Sequence, residues 1–266
     1  MSGFCPINFS QKFKMMIDTE FIKEFTFYWI ISGIILFPIL LFVKQPYGRH
    51  MREGWGLTLP NKIAWLIMEL PALIVFVIII ILKSNFVFSI ALPAALWITH
   101  YIHRTLVFPF KLKTKGKKMP ILIVSFGIIF NFINASLNGI SLEPVSVFEN
   151  FGLHEIRIIA GLLLFAVGMF INVYSDNYLI HLRKSSTNGY KIPQKFLFKL
   201  VSCPNFLGEI IEWSGFALVA GNLAALSFLV WTMVNLFPRA LNHHKWYKQN
   251  FSDYPKNRKA LIPFIL

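Results

Sequence analysis

Asn205, Glu209 and Glu212 stand within NFLGEIIEW (205–213), in a region that otherwise favours hydrocarbon. Asn205 and Glu209 are four residues apart, so a helix presents both on one face. The same spacing recurs in NVYSDNYLIHLRK (172–184), where Asn172 and Asp176 share a face with Arg183. It recurs again in RALNHHKWY (239–247), as Arg239, His243 and Tyr247. Amide, carboxylate, guanidinium, imidazole and phenol groups gathered in this way suit a ligand with many hydroxyls, an amide and phosphates. A nucleotide fits, with Lys117, Arg183, Lys191 and Arg239 as candidates for its phosphates, and other anionic ligands remain open. No GxGxxG follows a strand and no GxxxxGK[ST] occurs, which excludes the Rossmann and P-loop modes. The plainer reading of the 239–247 stripe is a solvated basic face, and of Arg183 a snorkelling helix end.

A second set lies in IMELPAL (67–73) and THYIHRT (99–105). Glu69 is the lone acid of its apolar run, two residues before Pro71. An ionisable group inside a membrane span is costly and marks function by default. The alternative is a basic partner on a neighbouring span. It ranks second, because most runs offer no Lys or Arg at similar depth. His100, Tyr101, His103 and Arg104 cluster in the next run, but no Cys or acid completes a metal-ligand set with the histidines.

The elements that must position these groups are membrane helices. Of the 266 residues, 56% are hydrophobic and 14% charged, and Phe alone contributes 28. Soluble domains carry roughly 25% charged residues. Mean hydropathy is +0.59, and the implied solvent is a bilayer. Seven apolar runs are long enough to span it, near 22–43, 63–82, 86–108, 119–137, 155–179, 204–220 and 222–241, with the last two divided by the short AGN at 220–222. The pattern predicts an all-α integral membrane protein of one domain, residues 1–266.

Basic connections alternate with poor ones. Lys44, Arg49, Arg52 and Lys62 oppose Glu53; Lys111, Lys113, Lys115, Lys117 and Lys118 face no acid; nor do Arg183, Lys184, Lys191, Lys195 and Lys199. The intervening connection at 138–154 carries Glu143 and Glu149. The positive-inside rule then puts the N-terminus outside and the C-terminus in the cytoplasm. It also accounts for the net charge of +14 without nucleic acid as a partner. The first 20 residues do not have the pattern of a cleaved signal peptide. Cys5 and Cys203 imply no disulfide framework.

The segments YGRH (47–50), AWLIMELP (64–71), HYIHRT (100–105), GMFINVYSDNYLIHLRK (168–184), YKIPQ (190–194), NFLGEIIEW (205–213), RALNHHKWY (239–247) and DYPKNRKALIPFIL (253–266) resemble the steroid 5α-reductases, collinearly from about Tyr47 onward. The resemblance implies a seven-helix membrane reductase that uses NADPH. It implies reduction of the Δ4 double bond of a 3-oxo-Δ4 steroid, with hydride reaching carbon 5 and a proton carbon 4. Glu69 and Tyr101 match the family positions that hold the 3-oxo oxygen, and Met68 stands beside them where vertebrate members have Gln. Tyr101 can donate its phenolic proton; Glu69 either donates a second bond when protonated or orients Tyr101 when ionised. Asn172, Asp176, Arg183, Tyr190, Asn205, Glu209, Arg239, His243 and Tyr247 match NADPH-contacting positions, within a mainly cofactor-binding half, 155–266. Lys117 and Lys191 replace arginines, keeping charge but losing the bidentate fork. Gly208 is expected to let helices approach closely, and Glu212 either joins the cofactor face or bonds a neighbouring helix.

The expected partners are a steroid-like lipid and the surrounding membrane, bacterial inner membrane or endoplasmic reticulum, with the chain acting as a monomer. The nearest alternatives share the architecture: a reductase of another enone, enoyl lipid or sterol, or an isoprenylcysteine-type methyltransferase using S-adenosylmethionine. A transporter would line a path across the whole bilayer with polar groups, whereas here they gather towards one side.

Overall fold

The computed structural model describes residues 18–43, 45–46, 48–52, 54–83, 88–112, 116–143, 152–184 and 190–266. Cys5, Lys44, Tyr47, Glu53, Lys113, Lys115 and Glu149 lie outside them, and with them part of the charge pattern read above. The helices are α1 (Thr19–Phe42), α2 (Asn61–Lys83), α3 (Phe88–Ile102), the short α4 (Phe108–Lys111), α5 (Ile121–Ser141), α6 (Leu153–Lys184), α7 (Pro204–Ala220) and α8 (Leu223–Asn250). Five of them, α1, α2, α5, α6 and α8, are long and apolar enough to cross a membrane. α7 has 17 residues and α3 has 15.

Local chemistry sets the ends. Asp18 caps α1 by accepting from the Glu20 and Phe21 amides. Pro204 opens α7, where a missing N–H costs nothing. The predicted break at 220–222 is a reversal: Gly221 takes φ 62°, and Asn222 caps α8 by accepting from the Ala225 amide. Lys83, at the end of α2, donates to the Ile140 and Leu142 carbonyls at 2.6 Å, satisfying the C-terminus of α5.

Two short strands align the starts of α2 and α5. β1 (Thr58–Pro60) pairs antiparallel with β2 (Lys118–Pro120), matching Leu59 to Met119. Each strand runs directly into its helix, so the two helices start level and Asn131 meets Glu69 across the interface.

The third predicted run departs from a plain helix. After α3 the chain forms a π turn, His103–Val107, before α4. The Phe108 N–H reaches back five residues to the His103 carbonyl. Pro109 offers no N–H, and its ring would crowd the carbonyl four residues back, so a standard turn cannot continue here. The wide turn holds Arg104 and Thr105 in the buried interior.

α6 and α7 pack closest of all. A Cβ on Gly208 would come within 2.5 Å of the Asn172 amide nitrogen, and one on Gly161 within 2.8 Å of the Gly215 carbonyl. Glycine allows this backbone-to-backbone approach, as expected for Gly208. An aromatic core fills the centre, with Trp97 against Phe76, Tyr101, Trp213, Phe216 and Phe228.

Candidate active site

A cavity of about 550 Å³ opens between α1, α2, α3, α5 and α8. Most of its wall is apolar or aromatic, including Trp29, Leu36, Trp65, Phe130 and Trp231. One corner is polar: Glu69, His100, Tyr101, Arg104, Asn131 and Glu209 all border it. Cavities of a few hundred Å³ with few polar groups are the usual form of small-molecule sites.

Arg104 is the hub of that corner. Its NH1 lies 3.3 Å from Asp176 Oδ2, its NH2 3.9 Å from Glu209 Oε2 and its Nε 3.9 Å from Glu69 Oε1. The guanidinium lies over the Trp65 and Phe108 rings, at 5.0 and 4.7 Å from their centroids. A buried cation with three carboxylate neighbours keeps each acid from standing alone in low dielectric, where an unpaired charge is costly. This corrects the sequence expectation for Glu69: a basic partner does stand at its depth, on the neighbouring helical run. Sequence reasoning saw Arg104 in the His–Tyr–His–Arg cluster but gave it no role. The turn that aims it inward depends on a π-type bond that residue spacing does not show.

Glu69 is held from a second side. Asn131 Nδ2 donates to Glu69 Oε2 at 3.2 Å and to the Met68 carbonyl at 2.7 Å. Tyr101 borders the cavity beside it, and its hydroxyl enters none of the hydrogen bonds among the described residues. Met68 also borders the cavity. The structure therefore places Met68, Glu69 and Tyr101 on one cavity.

The α6 and α7 polar pairs meet directly. Asn172 Nδ2 donates to the Asn205 carbonyl at 3.0 Å and to Glu209 Oε2 at 3.2 Å. Asn205 Nδ2 donates to Asp176 Oδ1 at 2.9 Å. These four side chains form one network, joined to Glu69 through Arg104. Glu212 does not join it. It is fully buried against α3, with Oε1 2.8 Å from His100 Nδ1. Of its two expectations, the bond to a neighbouring helix is the one observed.

The remaining predicted residues form a second centre. Lys117 Nζ donates to the Tyr190 hydroxyl at 2.8 Å. Around the Tyr190 ring, Arg49, Lys117 and Arg183 stand 4.8, 4.7 and 5.3 Å from the centroid. None of these three cations makes an ion pair among the described residues. Arg49 also stacks on Trp246 and Tyr247, and its NH2 lies 3.5 Å from the Tyr247 hydroxyl. His243 pairs with His50 at 3.1 Å. Arg239 lies over the Phe206 ring at 5.0 Å and borders both the large cavity and a smaller recess with His50 and His243. Lys191 is exposed. Arg49 and His50 belong to the YGRH motif but were not singled out as site residues; only the tertiary packing of that segment against α8 reveals them.

Comparison with known proteins identifies the relatives of this chain. The family described as 3-oxo-5-alpha-steroid 4-dehydrogenase matches residues 117–266. Steroid 5-alpha-reductase DET2 of Solanum lycopersicum is 37% identical over 253 residues, covering 93% of this chain and 98% of that protein. 3-oxo-5-alpha-steroid 4-dehydrogenase 1 of Bos taurus is 37% identical over 246 residues, covering 88% and 93% respectively. Steroid 5-alpha-reductase DET2 of Gossypium hirsutum is 39% identical over 237 residues, covering 85% and 90%. With identity at this level along most of its length, the chain belongs to the 3-oxo-5-alpha-steroid 4-dehydrogenase family, a family of oxidoreductases.

Proposed function

We propose that the chain is a multi-pass membrane enzyme that reduces the Δ4 double bond of 3-oxo-Δ4 steroids to the 5α product, using NADPH. The observation that carries this reading is the largely apolar cavity with a polar corner at Glu69, Tyr101 and Arg104. A flat hydrocarbon ligand with one carbonyl matches a wall of that composition. The names of the relatives, steroid 5-alpha-reductase and 3-oxo-5-alpha-steroid 4-dehydrogenase, support the substrate class.

The residues fit a dinucleotide. Arg49, Lys117 and Arg183 converge on Tyr190, and like charges gathered with no ion pair among the described residues favour a polyanion between them. Arg49 NH1 is buried and lacks a hydrogen-bond partner. These cations, with Arg239, would hold the phosphates. Asn172, Asp176, Asn205 and Glu209 would hold the amide and hydroxyl groups, with Tyr190, Lys191, His243 and Tyr247 completing the surround. NADPH, when bound, supplies the hydride that reaches carbon 5.

Negative charge then grows on the 3-oxo oxygen. Tyr101 donates a hydrogen bond to that oxygen from a largely apolar wall, where one such donor is worth about 2.7–4 kcal/mol. Glu69, fixed by Asn131 and Arg104, sets the position of the same corner. Arg104 ties the steroid corner to the cofactor face, so the two ligands share one electrostatic centre. Carbon 4 takes a proton to complete the reduction.

In the membrane we propose seven spanning segments, α1, α2, the α3–α4 run, α5, α6, α7 and α8, with the N-terminus outside and the C-terminus cytoplasmic. The chain acts as a monomer without nucleic acid. The test uses detergent-purified protein, NADPH and testosterone. Mass spectrometry should find a product two hydrogens heavier with 5α stereochemistry. NADPH binding without product would move the substrate to another enone lipid, and no NADPH binding would overturn the reductase reading.

A further inference from the structure

The α5 wall of the cavity has one gap. Ile123, Gly127 and Asn131 form a stripe at four-residue spacing, and all three border the cavity. At Gly127 the missing side chain is replaced by Met68 of α2. A Cβ placed on Gly127 would overlap Met68 Cγ and Sδ, while Met68 Cβ would lie 3.6 Å away. The thioether therefore lies flat in a notch on the α5 backbone. The backbone at Met68 cannot retreat freely, because its carbonyl accepts from Asn131 at 2.7 Å. The next residue along α2 is Glu69.

Resting on the proposed steroid reading of the cavity, we infer that the Met68–Gly127 contact sets the size of ligand accepted beside Glu69. With glycine at 127 the thioether parks against α5 and leaves the cavity open. With any larger residue there, α5 blocks one side and the thioether swings into the ligand space. Methionine is unbranched and flexible, so it moves at little cost to the fold. Met68 and Gly127 are thus a coupled specificity pair: the glycine decides where the methionine goes, and the methionine decides how much room remains. The ligand class is a 3-oxo-Δ4 steroid with no added bulk at its carbonyl end.

The test compares wild type, Gly127→Ala, Met68→Ala and the double variant in detergent. Testosterone binding is read by quenching of tryptophan fluorescence, since Trp29, Trp65 and Trp231 border the cavity. A misplaced methylene-sized group in an apolar pocket changes selectivity about tenfold or more. Gly127→Ala should weaken testosterone binding by that factor, and adding Met68→Ala should restore it to the Met68→Ala value. Wild-type affinity in Gly127→Ala, or a double variant as weak as Gly127→Ala, would overturn the inference. Should Gly127→Ala fail to fold, Met68→Ala alone decides. It should improve binding of a 4-methyl analogue relative to testosterone about tenfold, and an unchanged ratio would overturn the proposal. Failure of wild type to bind either steroid would instead overturn the reading of the cavity itself.

Discussion

The α6/α7 pair and the α1/α8 pair face the same site but are joined in opposite ways. Between α6 and α7 the contact is backbone on backbone, at Gly161, Gly168, Gly208 and Gly215. Between α1 and α8 it is side chain on side chain. Trp29 and Trp231 stack at 4.5 Å, the Trp231 indole donates to the Trp29 carbonyl at 2.9 Å, and Phe37 meets Phe237 edge-on. The first pair carries the amide–carboxylate network; the second lines the apolar wall. Polar groups that must keep hydrogen-bond distances are mounted on the contact that cannot adjust. The apolar wall is mounted on rings, which can shift where a backbone cannot.

The comparison can be broken at several points. The largest effect is expected at Arg104, which joins the α6/α7 network to Glu69. Arg104→Met leaves the buried Glu69 and Asp176, and the partly buried Glu209, without their cation. Removing one partner of a buried ion pair costs about 3–5 kcal/mol, so thermal denaturation in detergent should show a much less stable protein. Stability close to wild type would mean that the carboxylates do not depend on Arg104.

Gly168→Ala comes next. A Cβ there would run into the Glu212 and Gly208 backbones, which cannot rotate away. A cost near the top of the usual overpacking range, about 3 kcal/mol, is expected. NADPH affinity should fall with it, because Asn172 and Asp176 move relative to Asn205 and Glu209. Asn205→Ala should keep the helices together but deprive Asp176 of a donor, at about 1.5–3 kcal/mol. NADPH titration should weaken while steroid binding persists. In the α1/α8 pair, Gly33→Ala would bring a Cβ to 3.0 Å from Trp231 Cε2. The obstacle is a side chain, so the change should stay below about 1 kcal/mol. A Gly33→Ala variant as damaged as Gly168→Ala would erase the distinction between the two pairs.

The smallest effect is chemical. Cys203 sits at the tightly packed start of α7, and burial pushes its thiol up to about 12. The thiolate is the reactive form, so iodoacetamide at pH 8 should leave Cys203 unmodified in the folded protein and modify it after denaturation.

Much of this was legible in residue spacing. The four-residue rhythm of Asn172–Asp176 and Asn205–Glu209 marked the faces that meet, because both pairs sit on uninterrupted helices. The AGN break at 220–222 was visible because glycine and an asparagine cap are local signals. Arg104 was not assigned, since its inward aim depends on the π turn ahead of Pro109. The histidine partner of Glu212 was hidden for a related reason: His100 and Glu212 are 112 residues apart, and only packing sets their common depth. The notch at Gly127 was equally silent, because a glycine in an apolar helix looks the same whether it faces lipid or shelters a methionine.

The most direct test of a carbonyl-holding corner at Glu69 and Tyr101 uses NADPH deuterated at the transferring position. Wild type, Glu69→Gln and Tyr101→Phe would each be incubated with testosterone. Wild type should place deuterium at carbon 5 of a 5α product, while both variants bind NADPH normally and form product at least about a hundredfold more slowly, Tyr101→Phe through loss of the oxyanion donor and Glu69→Gln through loss of the carboxylate that positions the corner. Full deuterium transfer in both variants would contradict the assignment of Glu69 and Tyr101 to that corner.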